Sequence, residues 1–167
     1  LLAEACRSVA SYQLRSRATI IGNICNASPA GDTLGACLLF GGVLQVHGVN
    51  GLRQEPLSTF FRGPGKTTLK PGDIVTAIHF PLPPKGCVGK YIKLGRNQLS
   101  DLSIVAVTAL GYRDSTCSSG YRFRLALASV APVPLVPLEA ETYLANHPIT
   151  PDAIQEASRL AAEACSP

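Results

Sequence analysis

At 167 residues, 46% hydrophobic and 16% charged, the chain can bury one core or two small ones sharing a hinge, and it is not the composition of a disordered polymer. Its net charge of +4 is uneven: residues 1–100 hold eleven Lys and Arg against four Asp and Glu, whereas residues 101–167 hold four against seven. A basic half suits an anionic partner, either a phosphate-bearing cofactor or nucleic acid, and is equally what an ordinary solvated surface looks like.

Residues 2–11, apolar with Glu4 and Arg7 interleaved, predict one short helix. The stretch Thr19-Ile20-Ile21-Gly22-Asn23-Ile24 follows, then a loop rich in Asn, Ser, Pro and Gly that ends at Asp32. Asp32-Thr33 can cap a helix over 34–40, which Gly41-Gly42 stops. Runs at 43–49 and 52–57 flank Asn50-Gly51, predicting a hairpin whose two turn positions both take positive φ. Residues 74–80 alternate, with Ile74, Thr76, Ile78 and Phe80 on one face of a strand. The punctuation from Pro81 to Gly86 marks the best domain boundary, dividing 1–85 from 86–167.

Beyond that boundary, 90–94, 102–112 and 121–130 read as three strands of an antiparallel meander. The last carries Tyr121, Phe123, Leu125 and Leu127 on one face and Arg122 and Arg124 on the other. Two helices close the chain. One covers 138–145; the other is capped by Thr150 with Pro151 at its first position, and its apolar stripe is Ile154, Ala157, Leu160, Ala161 and Ala164.

Little in these residues supports self-contained catalysis. Gly63-Pro64-Gly65-Lys66-Thr67-Thr68 ends like a P-loop, but Phe60 stands where the upstream Gly is needed and Pro71-Gly72 prevents a following helix. There is no Gly-x-Ser-x-Gly elbow, the three histidines His47, His79 and His147 are scattered, and no carboxylate pair stands out, so no catalytic residue is assigned. The six cysteines form no Cys-x-x-Cys pair and have no His at ligand spacing, so no metal site is expected. Without a signal-peptide pattern, free thiols in the cytoplasm are the default expectation. The apolar run 36–46 is interrupted by Gly41-Gly42 and too short for a bilayer, so no membrane insertion is expected. Aromatic residues, at 6% and not interleaved with basic ones, argue against a nucleic-acid partner. With no Met and an abrupt start at Leu1-Leu2, the sequence reads as a fragment.

The segment 19–32 is the exception. Gly22 lets the backbone approach a ligand closely, and small polar side chains beside exposed amides can cradle an anion, with Arg15 and Arg17 adding a favourable field. The same residues would also make a polar loop joining two elements.

Thr19-Ile20-Ile21-Gly22-Asn23-Ile24 with Ser28-Pro29 and Asp32 resembles the Thr-Ile-Gly-Gly-Asn…Ser-Pro…Asp signature of the medium, FAD-binding subunit of molybdenum hydroxylases, the group of the xanthine dehydrogenase and carbon monoxide dehydrogenase families. Residues 58–63 are similar to that family's Asp-Phe-Phe-x-Gly step, and 69–75 to its Leu-x-Pro-Gly-Glu-Leu-Leu run. Tyr91-Ile92-Lys93 with Arg96 and Asp101 resembles its Lys…Arg…Asp-Ile-Ala pattern, and 127–132 with 141–144 its C-terminal flavoprotein domain. The resemblance covers almost the whole chain in order. Ile21 departs from it, standing where the family has the first of two paired glycines.

The resemblance implies an α+β protein: the C-terminal part of a two-lobed, PCMH-type FAD-binding domain, then a three-stranded antiparallel sheet with helices. It implies FAD as cofactor, gripped by two glycine-rich loops. One would lie upstream of Leu1; the second would correspond to Thr19, Ile20, Ile21, Gly22 and Asn23. Asp32 would match a cofactor-contacting Asp, Lys66 a basic FAD contact, and Val75 a residue lining the flavin pocket. Lys93 would approach the isoalloxazine ring, where a cation stabilises reduced flavin. Electrons would then pass from a molybdopterin-binding large subunit through the clusters of a 2Fe-2S small subunit to this FAD, and on to an acceptor such as NAD. The alternative is a structural or docking piece that binds no flavin by itself.

Overall fold

The computed structural model describes residues 1–97 and 101–167. Helix α1 (Leu2–Arg7) stops short of the helix expected over residues 2–11, and a separate helix α2 (Tyr12–Arg15) follows it. The break is at Ala10, whose φ of 38° is left-handed. Arg15 stabilises it: its Nη1 donates to the Val9 and Ala10 carbonyls at 2.6 and 2.7 Å, groups that leave the helical ladder there.

Helix α3 (Ile20–Asn26) occupies residues whose glycine and small polar side chains suggested a loop. A cap explains it. Thr19 is extended at φ −123°, and its hydroxyl accepts from the Gly22 N–H at 2.9 Å. Helix α4 (Asp32–Leu39) has Gly31 in its cap position and no side-chain cap. Asp32, expected as part of that cap, is the first helical residue and is bonded to the sheet beyond instead.

Strands β1 (Val43–Gly48) and β2 (Gly51–Pro56) form the expected hairpin with the turn moved by one residue. Gly48 faces Gly51, so Val49 and Asn50 make the turn, and neither has positive φ; Gly51, at 98°, does. A left-handed glycine closing an ordinary turn serves as well as the mirror-image turn that Asn-Gly favours. Helix α5 (Leu57–Phe60) and a ribbon of β3 (Phe61–Gly63) and β4 (Lys66–Thr67) lead to β5 (Ile74–His79), giving the antiparallel order β2-β1-β5. β5 does not keep one apolar face. Its pairing shifts between Gln45 and Val46, leaving Thr76 as the extra residue, so Val75 packs on the core before the bulge and Ile78 and Phe80 after it. Ile74 is left 66% exposed.

Residues 80–87 hold no helix or strand. Then β6 (Val88–Leu94), β7 (Val105–Arg113) and β8 (Tyr121–Ala128) form the antiparallel meander. From β8, Phe123 and Leu125 pack on α6 (Leu138–Asn146) and α7 (Pro151–Glu163), while Ala126 and Ala128 pack on the opposite face toward α4. Thr150 caps α7, accepting from the Ala153 N–H at 3.2 Å. Of the expected α7 stripe, Ala157, Leu160 and Ala161 pack against α6; Ala153 is buried as well, while Ile154 is 53% exposed and Ala164 is exposed.

Every residue of α4 is buried, because the helix lies between the two larger sheets. Leu34, Cys37 and Leu38 pack with Ile24, Leu44, Val46, Leu57 and Phe60; Ala36 packs with Ala106 and Ala128, and Leu39 with Leu110 and Ala126. Each large side chain fully buried there contributes about 2 kcal/mol. The approach to the meander depends on a missing side chain, since a Cβ at Gly35 would lie 2.5 Å from Thr108 Oγ1. No helix among the described residues is long and apolar enough to cross a membrane.

Candidate functional site

A cavity of about 830 Å³ opens between α1–α2 on one side and β6 with the residues after it on the other. Four cations line it: Arg7, Arg15, Lys93 and Arg96. Its two carboxylates, Glu4 and Asp101, are both engaged. Glu4 accepts from Lys90 Nζ at 2.6 Å and from the Tyr91 N–H at 3.0 Å, and those bonds hold its carboxyl below the usual range. Asp101 accepts from the backbone N–H groups of Arg96, Asn97 and Leu102, which likewise hold it low. The space is therefore electropositive. A second cavity of about 270 Å³ adjoins it, with Arg7 and Arg15 lining both.

Strand pleating turns Tyr91 and Lys93 inward together, leaving Ile92 61% exposed. Tyr91 Oη donates to Asp32 Oδ1 at 2.5 Å, and Lys93 Nζ lies 2.9 Å from that oxygen and 3.2 Å from Oδ2. The Ser8 carbonyl takes another Lys93 N–H at 3.0 Å. α1, α4 and β6 are thereby tied at one point on the cavity wall.

Of the residues singled out in the sequence, Thr19, Ile20 and Asn23 line the smaller cavity and Lys93 the larger. Three- and four-residue spacing puts the first three on one face of α3, and the same period turns Ile21 and Gly22 off that face. The Asn23 amide oxygen accepts from Thr33 Oγ1 at 2.6 Å, which fixes it against α4. Asp32 lines neither cavity; it stands behind Tyr91 and Lys93. Lys66 and Val75 are not brought to the site. Lys66 is exposed beside Gly65, whose N–H bonds Ala27 at the far end of α3 from Thr19, and Val75 packs against the core under β1. In the sequence Arg7 reads as no more than a break in an apolar start. Only the meeting of α1 with β6, 80 or more positions away, gives it a partner face, and no local pattern carries that signal.

Among the described residues no group of three or more His, Cys, Asp or Glu is placed to hold a metal ion. His79 lies on an exposed strand face with Nε2 3.3 Å from Gln45 Oε1, and His147 stacks on Tyr143 with ring centroids 4.0 Å apart. Neither reaches the cavity. What the arrangement offers chemically is anion binding beside one fixed ammonium.

Two family models match the chain: the FAD binding domain in molybdopterin dehydrogenase over residues 1–83, and the CO dehydrogenase flavoprotein C-terminal domain over residues 90–167. The xanthine dehydrogenase FAD-binding subunit of Escherichia coli O157:H7 is 35% identical over 159 residues, 93% of this chain and 54% of that protein. The carbon monoxide dehydrogenase medium chain of Hydrogenophaga pseudoflava is 29% identical over 167 residues, covering all of this chain and 57% of the other. A solved structure of carbon monoxide dehydrogenase from Hydrogenophaga pseudoflava, lacking the Mo-pyranopterin moiety, superposes with a TM-score of 0.92 at 30% identity, over 100% of this chain and 57% of that one. The chain thus spans about half the length of the curated relatives it matches.

Proposed function

The chain belongs to the family of FAD-binding subunits of molybdopterin dehydrogenases, and on that premise we propose that the cavity between α1–α2 and β6 is one wall of a flavin site. The observation that carries this is the lining itself: four cations around a ligand-sized space whose two carboxylates already accept hydrogen bonds from the protein. Such a wall fits an anionic diphosphate cofactor. Arg7, Arg15 and Arg96 would hold its negative charge, Thr19 and Asn23 would frame the adjoining space, and Lys93 would present its ammonium to the ring system. When bound, FAD supplies the gain and loss of electrons; the chain binds it, orients it and sets the charge around it.

The proposed place in the whole enzyme is electron transfer. Electrons would arrive from a 2Fe-2S subunit supplied by a molybdopterin-binding subunit, and leave to an acceptor such as NAD. Because the chain spans about half its relatives' length, the facing wall of the site would come from the part of those proteins beyond its span. A purified subunit carrying this chain that retains FAD, with the absorbance bands of bound flavin, supports the proposal. A subunit that takes up no flavin when FAD is supplied overturns it and leaves a structural or docking role.

A further inference from the structure

The family pattern makes Asp32 a cofactor contact, yet its carboxylate is 8% exposed, lines neither cavity and has both oxygens engaged by Tyr91 and Lys93. We propose that Asp32 and Tyr91 are positioning residues that act on the flavin through Lys93 rather than by touching it. Asp32 fixes the Lys93 ammonium at the cavity wall, with Ser8 holding it from the other side at 3.0 Å. Tyr91 sets how much of the Asp32 charge that ammonium experiences. A carboxylate that already accepts a phenol hydrogen bond has part of its charge neutralised, so it offsets the lysine's positive field less.

The geometry makes Tyr91 a fixed donor. Its ring is buried, its backbone N–H is held by Glu4 at 3.0 Å, and Glu4 is held in turn by Lys90 at 2.6 Å. Burial first, and the hydrogen bond with Asp32 second, push the phenol well above its ordinary value, so it keeps its proton across the working pH range. The proposal rests on the flavin site described above.

The test is the midpoint potential of FAD in the flavin-loaded subunit, assembled with its partners, for wild type, Tyr91→Phe and Asp32→Asn. Tyr91→Phe returns negative charge to the carboxylate beside Lys93 and lowers the potential. Asp32→Asn removes that charge and raises it. Each change corresponds to about fivefold in the reduction equilibrium, about 20 mV for a two-electron couple. A purely structural role weakens the network in both variants and has no reason to give opposite signs. Shifts of the same sign, or no shift in Tyr91→Phe with flavin fully bound, overturn the proposal and leave the flavin site standing. If Asp32→Asn does not fold, the sign of Tyr91→Phe decides alone. A wild-type subunit that holds no flavin overturns both.

Discussion

Tyr91 Oη and Asp32 Oδ1 are 2.5 Å apart although 59 positions separate them, and Lys93 Nζ shares that oxygen at 2.9 Å. Removing the carboxylate strands a mostly buried ammonium and a buried phenol together. Asp32→Ala is expected to destabilise the fold by about 3 kcal/mol, and Tyr91→Phe, which loses one hydrogen bond, by about 1 kcal/mol. Urea unfolding of the two variants checks the difference; equal, small losses would contradict a buried pair.

Thr19 closes the first turn of α3 through its hydroxyl, 2.9 Å from the Gly22 nitrogen. Thr19→Ala is expected to cost about 1 kcal/mol, and Thr19→Ser to restore most of it, because the serine oxygen reaches the same N–H. Thermal unfolding measures both. Equal loss in Ala and Ser would show that the methyl, not the cap, matters.

Gly35 marks where α4 meets the meander. An alanine Cβ there would lie 2.5 Å from Thr108 Oγ1, 3.2 Å from Thr108 Cβ and 3.4 Å from Ala126 Cβ. Gly35→Ala is expected to destabilise by about 2 kcal/mol through overpacking, despite alanine's better helix propensity. The double variant Gly35→Ala with Thr108→Ala should recover stability, and failure to recover it would contradict the close approach.

Arg53 donates to both Asp73 oxygens, at 3.1 and 2.7 Å, and with the Lys70 N–H holds the carboxyl at about 2 against an ordinary 3.8. The folded value lies below the unfolded one. The stabilisation is therefore complete above the unfolded value and is lost as pH falls from there through the folded one. Arg53→Ala removes the cause, so its acid-unfolding midpoint by circular dichroism should move to higher pH. An unchanged midpoint would contradict the clamp between β2 and the turn before β5.

The elements were legible where one local cause decides them. Thr150-Pro151 announces the start of α7, and the alternation at 121–128 gives both faces of β8. Where a second, tertiary cause competes, local pattern misleads. The β5 alternation is interrupted by a bulge set by its pairing with β1, and Asp32 is drawn from its cap by Tyr91 and Lys93. Thr19, which lines the smaller cavity, was singled out through the resemblance, but its cap hides in a stretch whose glycine suggests a loop. The wall of the cavity is less legible still. Arg15 was legible as a basic neighbour of the segment 19–32, but Arg7 gains meaning only when α1 lies across from β6, a contact the chain specifies through Glu4 and Lys90 far apart in sequence.

The most direct measurement is an FAD titration followed by flavin fluorescence, on the chain alone and together with the N-terminal lobe that the family resemblance implies, for wild type and for Arg7→Glu. Arg7 is exposed at the rim, so its replacement leaves the core untouched. Tight binding that needs the lobe, weakened about tenfold or more by Arg7→Glu, is the predicted result. No binding under either condition, or binding indifferent to the charge at position 7, would contradict the assignment of this cavity to the flavin.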